Sequence, residues 1–405
     1  MPWKETRVFD LRAQFIKLYL TDTMSVADLS REFGISRTTA YKYIDKYEEY
    51  GEKGLHDLSR APHMHPNATP EDIVDIIVQL RARYPNWGAH KLKTVLERNH
   101  PLYNWPAEST IGVILKTKGL VAKRGRRVRA HATPTPELTK PRASCSVWTA
   151  DYKGQFKLGT GAWCYPLTIV DSYSRMILKC HGLPGTSFDQ AMPIWVATFR
   201  EYGLPEIIRT DNGSPFASMG LGGLSRLSVW WLKLGVIPER IQPGSPQQNG
   251  RHEHMHRVLK KEAATPPAKD FKAQQKAFDV FVNEYNYVRP HEAIGMATPA
   301  ELFVPSARRY PLILPEVEYP SQMIRRHVRT TGCIRWRGQL LFTSEILTGE
   351  YVGLDPIDDG IYALYFGPMP LAILDDRLRR WLPGHEASPI INRLREESSD
   401  NTRKV

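Results

Sequence analysis

The stretch "PEIIRTDNGSPFAS", residues 205–218, decides how this chain is read. Ile207 and Ile208 are β-branched, follow Pro205 and run into Asp211-Asn212-Gly213-Ser214-Pro215, the pattern of a short core strand ending in a turn. Asp and Asn suit turns because their side chains bond the local backbone and tolerate left-handed geometry. One Asp-Asn-Gly therefore means little alone, and its weight depends on other carboxylates in equivalent places.

Asp151 closes the run "SVWTAD", again at the end of a candidate strand, 60 positions before Asp211. A further 42 positions on, Glu253 falls in the first turns of a helix expected to begin around Gln248 to Arg251, after a loop built by Pro243, Gly244, Pro246, Asn249 and Gly250. Gaps of this size hold a hairpin plus a helix, then a helix plus a strand. Carboxylates on two strand ends and one helix suit hard cations. Mg²⁺ (or Mn²⁺) prefers carboxylate oxygens and keeps positions open for water and phosphate. Two such ions about 4 Å apart can activate an attacking hydroxyl and stabilise a leaving oxygen in one in-line displacement. Asp151, Asp211 and Glu253 are accordingly expected to be catalytic and metal-binding, with two ions between them.

Taken in order, "WTADYKG" at 148–154, "VDSYSR" at 170–175, "RTDNGSPF" at 209–216, "PGSPQQNGRHEHMH" at 243–256 and "YNYVRPHEAIGMATPAELF" at 285–303 carry a resemblance. The chain resembles the DDE transposases of bacterial insertion sequences, relatives of retroviral integrases with a ribonuclease-H-like core. The likeness is strong over residues 145–305 and loose over the N-terminal helices. It implies that Asp151, Asp211 and Glu253 bind the metal ions and drive hydrolytic nicking at transposon ends, followed by strand transfer into target DNA. No small-molecule cofactor is implied. The second spacer is longer than in retroviral integrases, through "SMGLGGLSRLS" at 218–228, and the zinc-binding His/Cys N-terminal module of those enzymes is missing.

A rival motif shares the helix. His252-Glu253-x-x-His256 matches the H-E-x-x-H of zinc proteases, in which two histidines one turn apart hold the metal and the glutamate acts as base. A third ligand and a peptide cleft are not announced downstream. Positions 253, 256, 257 and 260 fall on one side of a helix, which favours a DNA-facing surface with Asn249, Arg251, His256, Arg257 and Lys260 as contacts. Arg289 and His291 read as a phosphate contact or as the end of a helix before Pro290, with the structural role preferred. Trp230 and Trp231 sit in an apolar helix and read as core.

Residues 8–50 show helical periodicity in three segments, with Ser25 and Ser36 at N-cap positions and Gly34 in the turn between the last two. This is a helix-turn-helix pattern whose third segment offers Arg37, Thr38, Thr39 and Lys42 to base edges and phosphates. A second helical set follows, then the basic stretch "VAKRGRRVRAHATPTPELTKPRAS" at 121–144, where Lys123, Arg124, Arg126 and Arg127 can track phosphates.

With 405 residues, 55 Lys+Arg against 43 Asp+Glu and a net charge of +12, the chain is long enough for several domains and favours a polyanionic partner. Four scattered cysteines give neither a disulfide framework nor a cysteine zinc site. The N-terminus lacks an apolar h-region, and no run reaches the ~18 apolar residues of a membrane helix. The expectation is a multidomain protein. It comprises a helix-turn-helix DNA-binding domain at 1–60, a second helical DNA-binding module at 68–122, and a basic linker at 123–144. An α/β ribonuclease-H-like core with a mixed sheet follows at 145–305, then a small β-barrel at 320–384 and a disordered tail at 385–405. Double-stranded DNA, as transposon ends and target, and further copies of the chain are the expected partners, with no membrane. The expected location is the bacterial cytoplasm, on the nucleoid when bound to DNA. The alternative in another class is a catalytically inert DNA-binding regulator derived from a transposase.

Overall fold

Three short helices bury their apolar faces on one another at the N-terminus: α1 (Val8–Leu20), α2 (Val26–Glu32) and α3 (Arg37–Tyr50). Ser25 Oγ accepts from the Asp28 amide and Ser36 Oγ from the Thr39 amide, satisfying amides that the first turn leaves unpaired. Gly34, at φ +65°, makes the left-handed step between α2 and α3. Phe15, Ile16, Leu29, Ala40, Ile44 and Leu55 form the core. The computed structural model describes residues 8–57, 68–121, 138–218, 220–242 and 245–403, and the chain divides into two compact units, residues 1–71 and 72–405.

The second unit opens with α4 (Glu71–Arg83), α5 (Ala89–Asn99) and α6 (Glu108–Thr117), which bury Ile73, Ile77, Leu92, Val95, Leu96, Ile111 and Leu115 at helical spacing. It continues with β1 (Val147–Tyr152), β2 (Phe156–Lys157), β3 (Trp163–Asp171), β4 (Ile177–Leu183), α7 (Phe188–Tyr202), β5 (Ile207–Thr210), α8 (Arg226–Lys233), β6 (Ile237–Arg240), α9 (Gly250–Ala263), α10 (Phe271–Tyr287) and α11 (Pro299–Leu302). The sheet runs β4-β3-β1-β5-β6, with the short β2 beside the start of β3. β4, β3 and β1 are antiparallel neighbours, whereas β1, β5 and β6 are parallel, so the sheet is mixed as expected. One face packs Trp148, Ala150, Ile169 and Ile208 against Trp195 and Phe199 of α7 and Trp230 and Trp231 of α8. The other face packs Cys164, Val170 and Ile177 against Met255 and Leu259 of α9 and Phe278 of α10. Trp230 and Trp231 are core.

The helical set of α4 to α6 docks on this core through ion pairs. Arg98 reaches Glu301 at 3.1 Å and the Met296 carbonyl at 2.9 Å. Arg289, 6% exposed, bonds both Glu262 oxygens at 3.0 and 3.2 Å, with its guanidinium 5.9 Å from the Trp87 ring. The structural role anticipated for Arg289 is the one it fills.

The C-terminal part contains β7 (Ile324–His327), β8 (Cys333–Trp336), β9 (Gln339–Phe342), β10 (Tyr351–Asp358), β11 (Ile361–Phe366), β12 (Met369–Asp375), β13 (Arg380–Trp381) and α12 (Gly384–Arg403). The strands do not make the single barrel expected. They form a five-stranded antiparallel sheet, β13-β12-β11-β10-β7, and a separate two-stranded β8-β9 hairpin whose ladder takes in no other strand. Alternation of apolar and polar residues marks strands but not which edges pair. The hairpin is held by side chains instead: Trp336 Nε1 donates to Asp376 at 2.7 Å and Trp381 Nε1 to the Phe342 carbonyl at 2.6 Å. The tail expected to be disordered is helical as α12, because Ala387, Ile390, Ile391 and Leu394 recur at helical spacing and pack against the outer face of the sheet. Among the described residues no helix is long and apolar enough to cross a membrane.

Candidate active site

β1 is buried through Ala150 and opens at Asp151 and Tyr152. Side chains alternate along a strand, so Trp148 and Ala150 enter one core while Thr149 and Asp151 face α9. The parallel ladder pairs Val147 with Ile207, Trp148 with Ile208 and Thr149 with Arg209. Extending that register by two residues brings Asp211, just past the end of β5, level with Asp151 on the neighbouring strand. Strands lie about 4.8 Å apart, so the two carboxylates share one sheet edge.

The loop after β5 holds Asp211 in place. Its Oδ1 accepts from the Gly213 amide at 3.0 Å, and Asn212 Nδ2 bonds the Ile241 carbonyl at 2.7 Å, tying the loop to the end of β6. A Cβ at residue 213 would stand 3.1 Å from the Asp211 carboxylate, so glycine is what lets the backbone approach. Glu253 lies in the first turn of α9 and is exposed, while His252, Met255, His256, Val258, Leu259 and Ala263 form the buried stripe of that helix.

The three carboxylates are electrostatically coupled. Burial first, then Asp211 and more weakly Glu253, push the Asp151 carboxyl up to about 7, against the lowering from a backbone hydrogen bond at Tyr152 and from Lys153. Among the described residues, no three His, Cys, Asp or Glu side chains are drawn tightly enough to cage an ion by themselves. The donor chemistry nonetheless fits a hard divalent cation. All the candidate donors are carboxylate oxygens, and their mutual repulsion is what such a cation relieves.

Beneath Asp151 lies a closed polar network. Thr168 Oγ1 donates to the Asp151 carbonyl at 2.9 Å and stands 2.7 Å from Nε2 of both His252 and His256. A hydroxyl has one proton and two lone pairs, so both imidazoles donate Nε2–H to it. His252 Nδ1 then accepts from Thr149 Oγ1 at 2.9 Å. Burial lowers both rings far below the usual histidine range, His252 to about 3 and His256 to about 2, so they are neutral. The 3.8 Å approach of His256 Nδ1 to Asp151 is therefore not an ion pair.

This network removes the zinc-protease reading. Three of the four ring nitrogens bond core hydroxyls, and Glu253 is exposed while both rings are buried. It also corrects His256 as a DNA contact, since its side chain turns inward to the sheet. Asn249, 7% exposed at the start of α9, is likewise too buried for that role. Arg251, Arg257 and Lys260 are exposed on α9, as are Arg37, Thr38 and Lys42 on α3. The hydroxyl of Thr39 is 2.9 Å from that of Ser36 within the helix cap. Lys123, Arg124, Arg126 and Arg127 lie outside the described residues.

One feature went unseen in the sequence. Lys153 follows Asp151 by two residues and lies close enough to act on its charge, a placement that period-two alternation alone signals. Asp171, in "VDSYSR", is fully buried and accepts from the Cys145 amide and from the amide and hydroxyl of Ser174, so it shapes a hairpin turn rather than joining the trio.

Comparison with known families now bears on this geometry. Residues 141–246 match the family described as Integrase core domain and residues 234–299 a second family of that description, so the two spans contain all three carboxylates. Residues 11–63 match a Helix-turn-helix domain and 39–115 a Homeodomain-like domain. The insertion element IS476 uncharacterized 39.2 kDa protein of Xanthomonas euvesicatoria is 25% identical over 260 residues, which are 61% of this chain and 70% of that protein. These matches support an insertion-sequence transposase with an integrase core. The Gag-Pol polyprotein of baboon endogenous virus is 27% identical over 192 residues, 47% of this transposase and 10% of the polyprotein. A solved HTLV-2 integrase catalytic core domain in complex with magnesium overlaps 41% of the chain and all of that domain, at 13% identity and a TM-score of 0.33. Helix-turn-helix and integrase-core domains make the transposase a DNA-binding protein, and cores of the integrase type use divalent metal ions.

Proposed function

We propose that Asp151, Asp211 and Glu253 hold the divalent ions of this transposase, and that the chain nicks DNA at the ends of its element and joins those ends to target DNA. The observation that carries the assignment is the shared level of Asp151 and Asp211 on adjacent parallel strands, with Glu253 near enough to act on Asp151. Mg²⁺, when bound, supplies a Lewis acid that lowers the charge cost of phosphodiester exchange. The chain's own residues do the rest. Thr168 and the two neutral imidazoles fix the backbone of β1 against α9, which sets where Glu253 stands relative to Asp151.

Arg251, Arg257 and Lys260 line the exposed side of the helix that carries Glu253, where phosphates of a bound end are attracted by their charge. Arg37, Thr38 and Lys42 on α3 bind the terminal sequences of the element, and Lys123, Arg124, Arg126 and Arg127 track the intervening phosphates. Pairing two ends calls for more than one copy of the chain.

The test is a strand-transfer assay with the element's terminal repeats and Mg²⁺, using the parent protein beside Asp151→Asn, Asp211→Asn and Glu253→Gln. Joining by the parent and loss in each variant, with end binding retained, is the expected result. A parent protein that binds ends but never nicks or joins them, at any Mg²⁺ or Mn²⁺ concentration, returns the chain to the inert regulator class.

A further inference from the structure

The insertion "SMGLGGLSRLS", which lengthens the spacer between Asp211 and Glu253, is not a free loop. Leu221 and Leu224 pack with Val352, Leu354, Leu364, Phe366 and Leu371, the core of the C-terminal sheet. Helix α8 is shared as well. Its Leu227, Trp230 and Trp231 enter the catalytic core, whereas Val229 and Leu232 enter the C-terminal core. Apart from Arg226 and Lys233 at its ends, α8 is buried between the two layers, and the C-terminal core is completed by side chains from the spacer and α8.

The spacer approaches the C-terminal sheet closely. Gly222, at φ +63°, lies so near β12 that a Cβ there would stand 2.5 Å from Leu371 Cδ2 and 3.3 Å from Leu371 Cα. A Cβ on Gly223 would run into the guanidinium of Arg240, which bonds the Gly223 carbonyl and lies at the end of β6. From Gly223 the chain of bonds returns toward Asp211. The Ser218 amide donates to the Gly223 carbonyl at 3.0 Å, Ser225 Oγ bonds the Phe216 carbonyl at 3.0 Å, and Phe216 is buried against Tyr152, the neighbour of Asp151.

We propose that the C-terminal β-domain is a positioning element of the active centre, acting through the seat of Leu371 on Gly222 to hold the loop that leaves Asp211. The proposal rests on the assignment of Asp211 as a metal ligand. Leu371 touches neither metal nor DNA in this scheme, and it works by limiting where the 212–225 loop can stand. A displacement of about 1 Å at a reacting group costs on the order of 100-fold in rate, so a modest loosening is readable.

The experiment uses the full-length chain and three variants: Leu371→Ala, Leu371→Met and Glu350→Gln. Glu350 pairs with Lys233 at 2.7 Å on the same interface, at the far end of α8. Amide hydrogen exchange is followed over residues 212–225, alongside the Mg²⁺ concentration giving half-maximal nicking and the affinity for end DNA. Leu371→Ala is expected to raise loop exchange and the Mg²⁺ requirement about tenfold each, with end affinity unchanged within about twofold. Leu371→Met is expected to restore both, and Glu350→Gln to move neither while lowering the melting temperature. Unchanged loop exchange in Leu371→Ala overturns the proposal, as does an equal response in Glu350→Gln, which marks general loosening. If the loop responds as expected but the parent shows no metal-dependent nicking, the mechanical link stands and the assignment of Asp211 fails.

Discussion

Asp151, near the end of β1, and Asp211, just past the end of the parallel strand β5, stand level because the ladder joins Val147, Trp148 and Thr149 to the residues 60 positions later, the separation of the two aspartates. Their closeness has an energetic sign. The folded Asp151 carboxyl is raised to about 7 from an ordinary value of 3.8, so between those values the native state holds a proton that the unfolded chain has lost. Stability of the metal-free protein therefore falls as pH rises from about 4 to 7. At neutral pH Asp151→Asn is expected to stabilise the metal-free protein by about 2–4 kcal/mol, allowing for partial exposure of the carboxyl. Thermal melts across that pH range check this, and a flat difference between parent and variant defeats it.

The same substitution opposes function. Asp151→Asn is expected to lower strand transfer by about 100-fold or more, with gel-shift affinity for the ends unchanged. Added Mg²⁺ is expected to raise the melting temperature of the parent and not that of the variant.

Thr168→Val keeps the shape of the side chain and removes its hydroxyl. The Asp151 carbonyl and two buried Nε2–H groups then lose a partner at once, at about 1–3 kcal/mol for each unsatisfied group. A loss of roughly 3 kcal/mol in urea unfolding is expected. Zinc uptake measured by equilibrium dialysis is expected to be absent from the parent as well, because the imidazole nitrogens are engaged.

Arg289→Ala leaves the Glu262 carboxylate without its cation beneath the α4–α6 helices. A loss of about 2–3 kcal/mol is expected, with end-DNA affinity held within about twofold. Weakened DNA binding at unchanged stability would instead make Arg289 a phosphate contact.

On α3, Lys42→Ala is expected to weaken binding of all DNA sequences alike and to reduce the slope of log K against log salt by about 1. Arg37 lies at the first turn of the same helix, and its replacement is expected to change sequence preference as well. Titrations at several salt concentrations, with end and scrambled duplexes, separate the two.

Much of this centre was legible because strand ends announce themselves. Pro205, the isoleucine pair and the Asp-Asn-Gly turn locate Asp211 without help from the rest of the chain, and "SVWTAD" does the same for Asp151. Helix faces were harder. Residues 253, 256, 257 and 260 do line up at helical spacing, but 252, 255, 256 and 259 do so too, and which stripe meets the sheet is settled by Met255 and Leu259 packing on Cys164 and Val170. His256 sits where the stripes overlap, and the sheet claims it. In the C-terminal part, alternation marked the strands and left their pairing open. The polar composition of the last twenty residues hid the four apolar positions that make α12 a docked helix.

Helix α8 serves two cores at once. Each residue added to or deleted from an α-helix turns everything beyond it by about 100°, so one indel within Arg226–Lys233 would rotate tryptophans out of one core and aliphatics out of the other together. Length variation among natural variants of this chain is therefore expected to collect in the spacer before Ser225 and to leave the eight residues after it untouched.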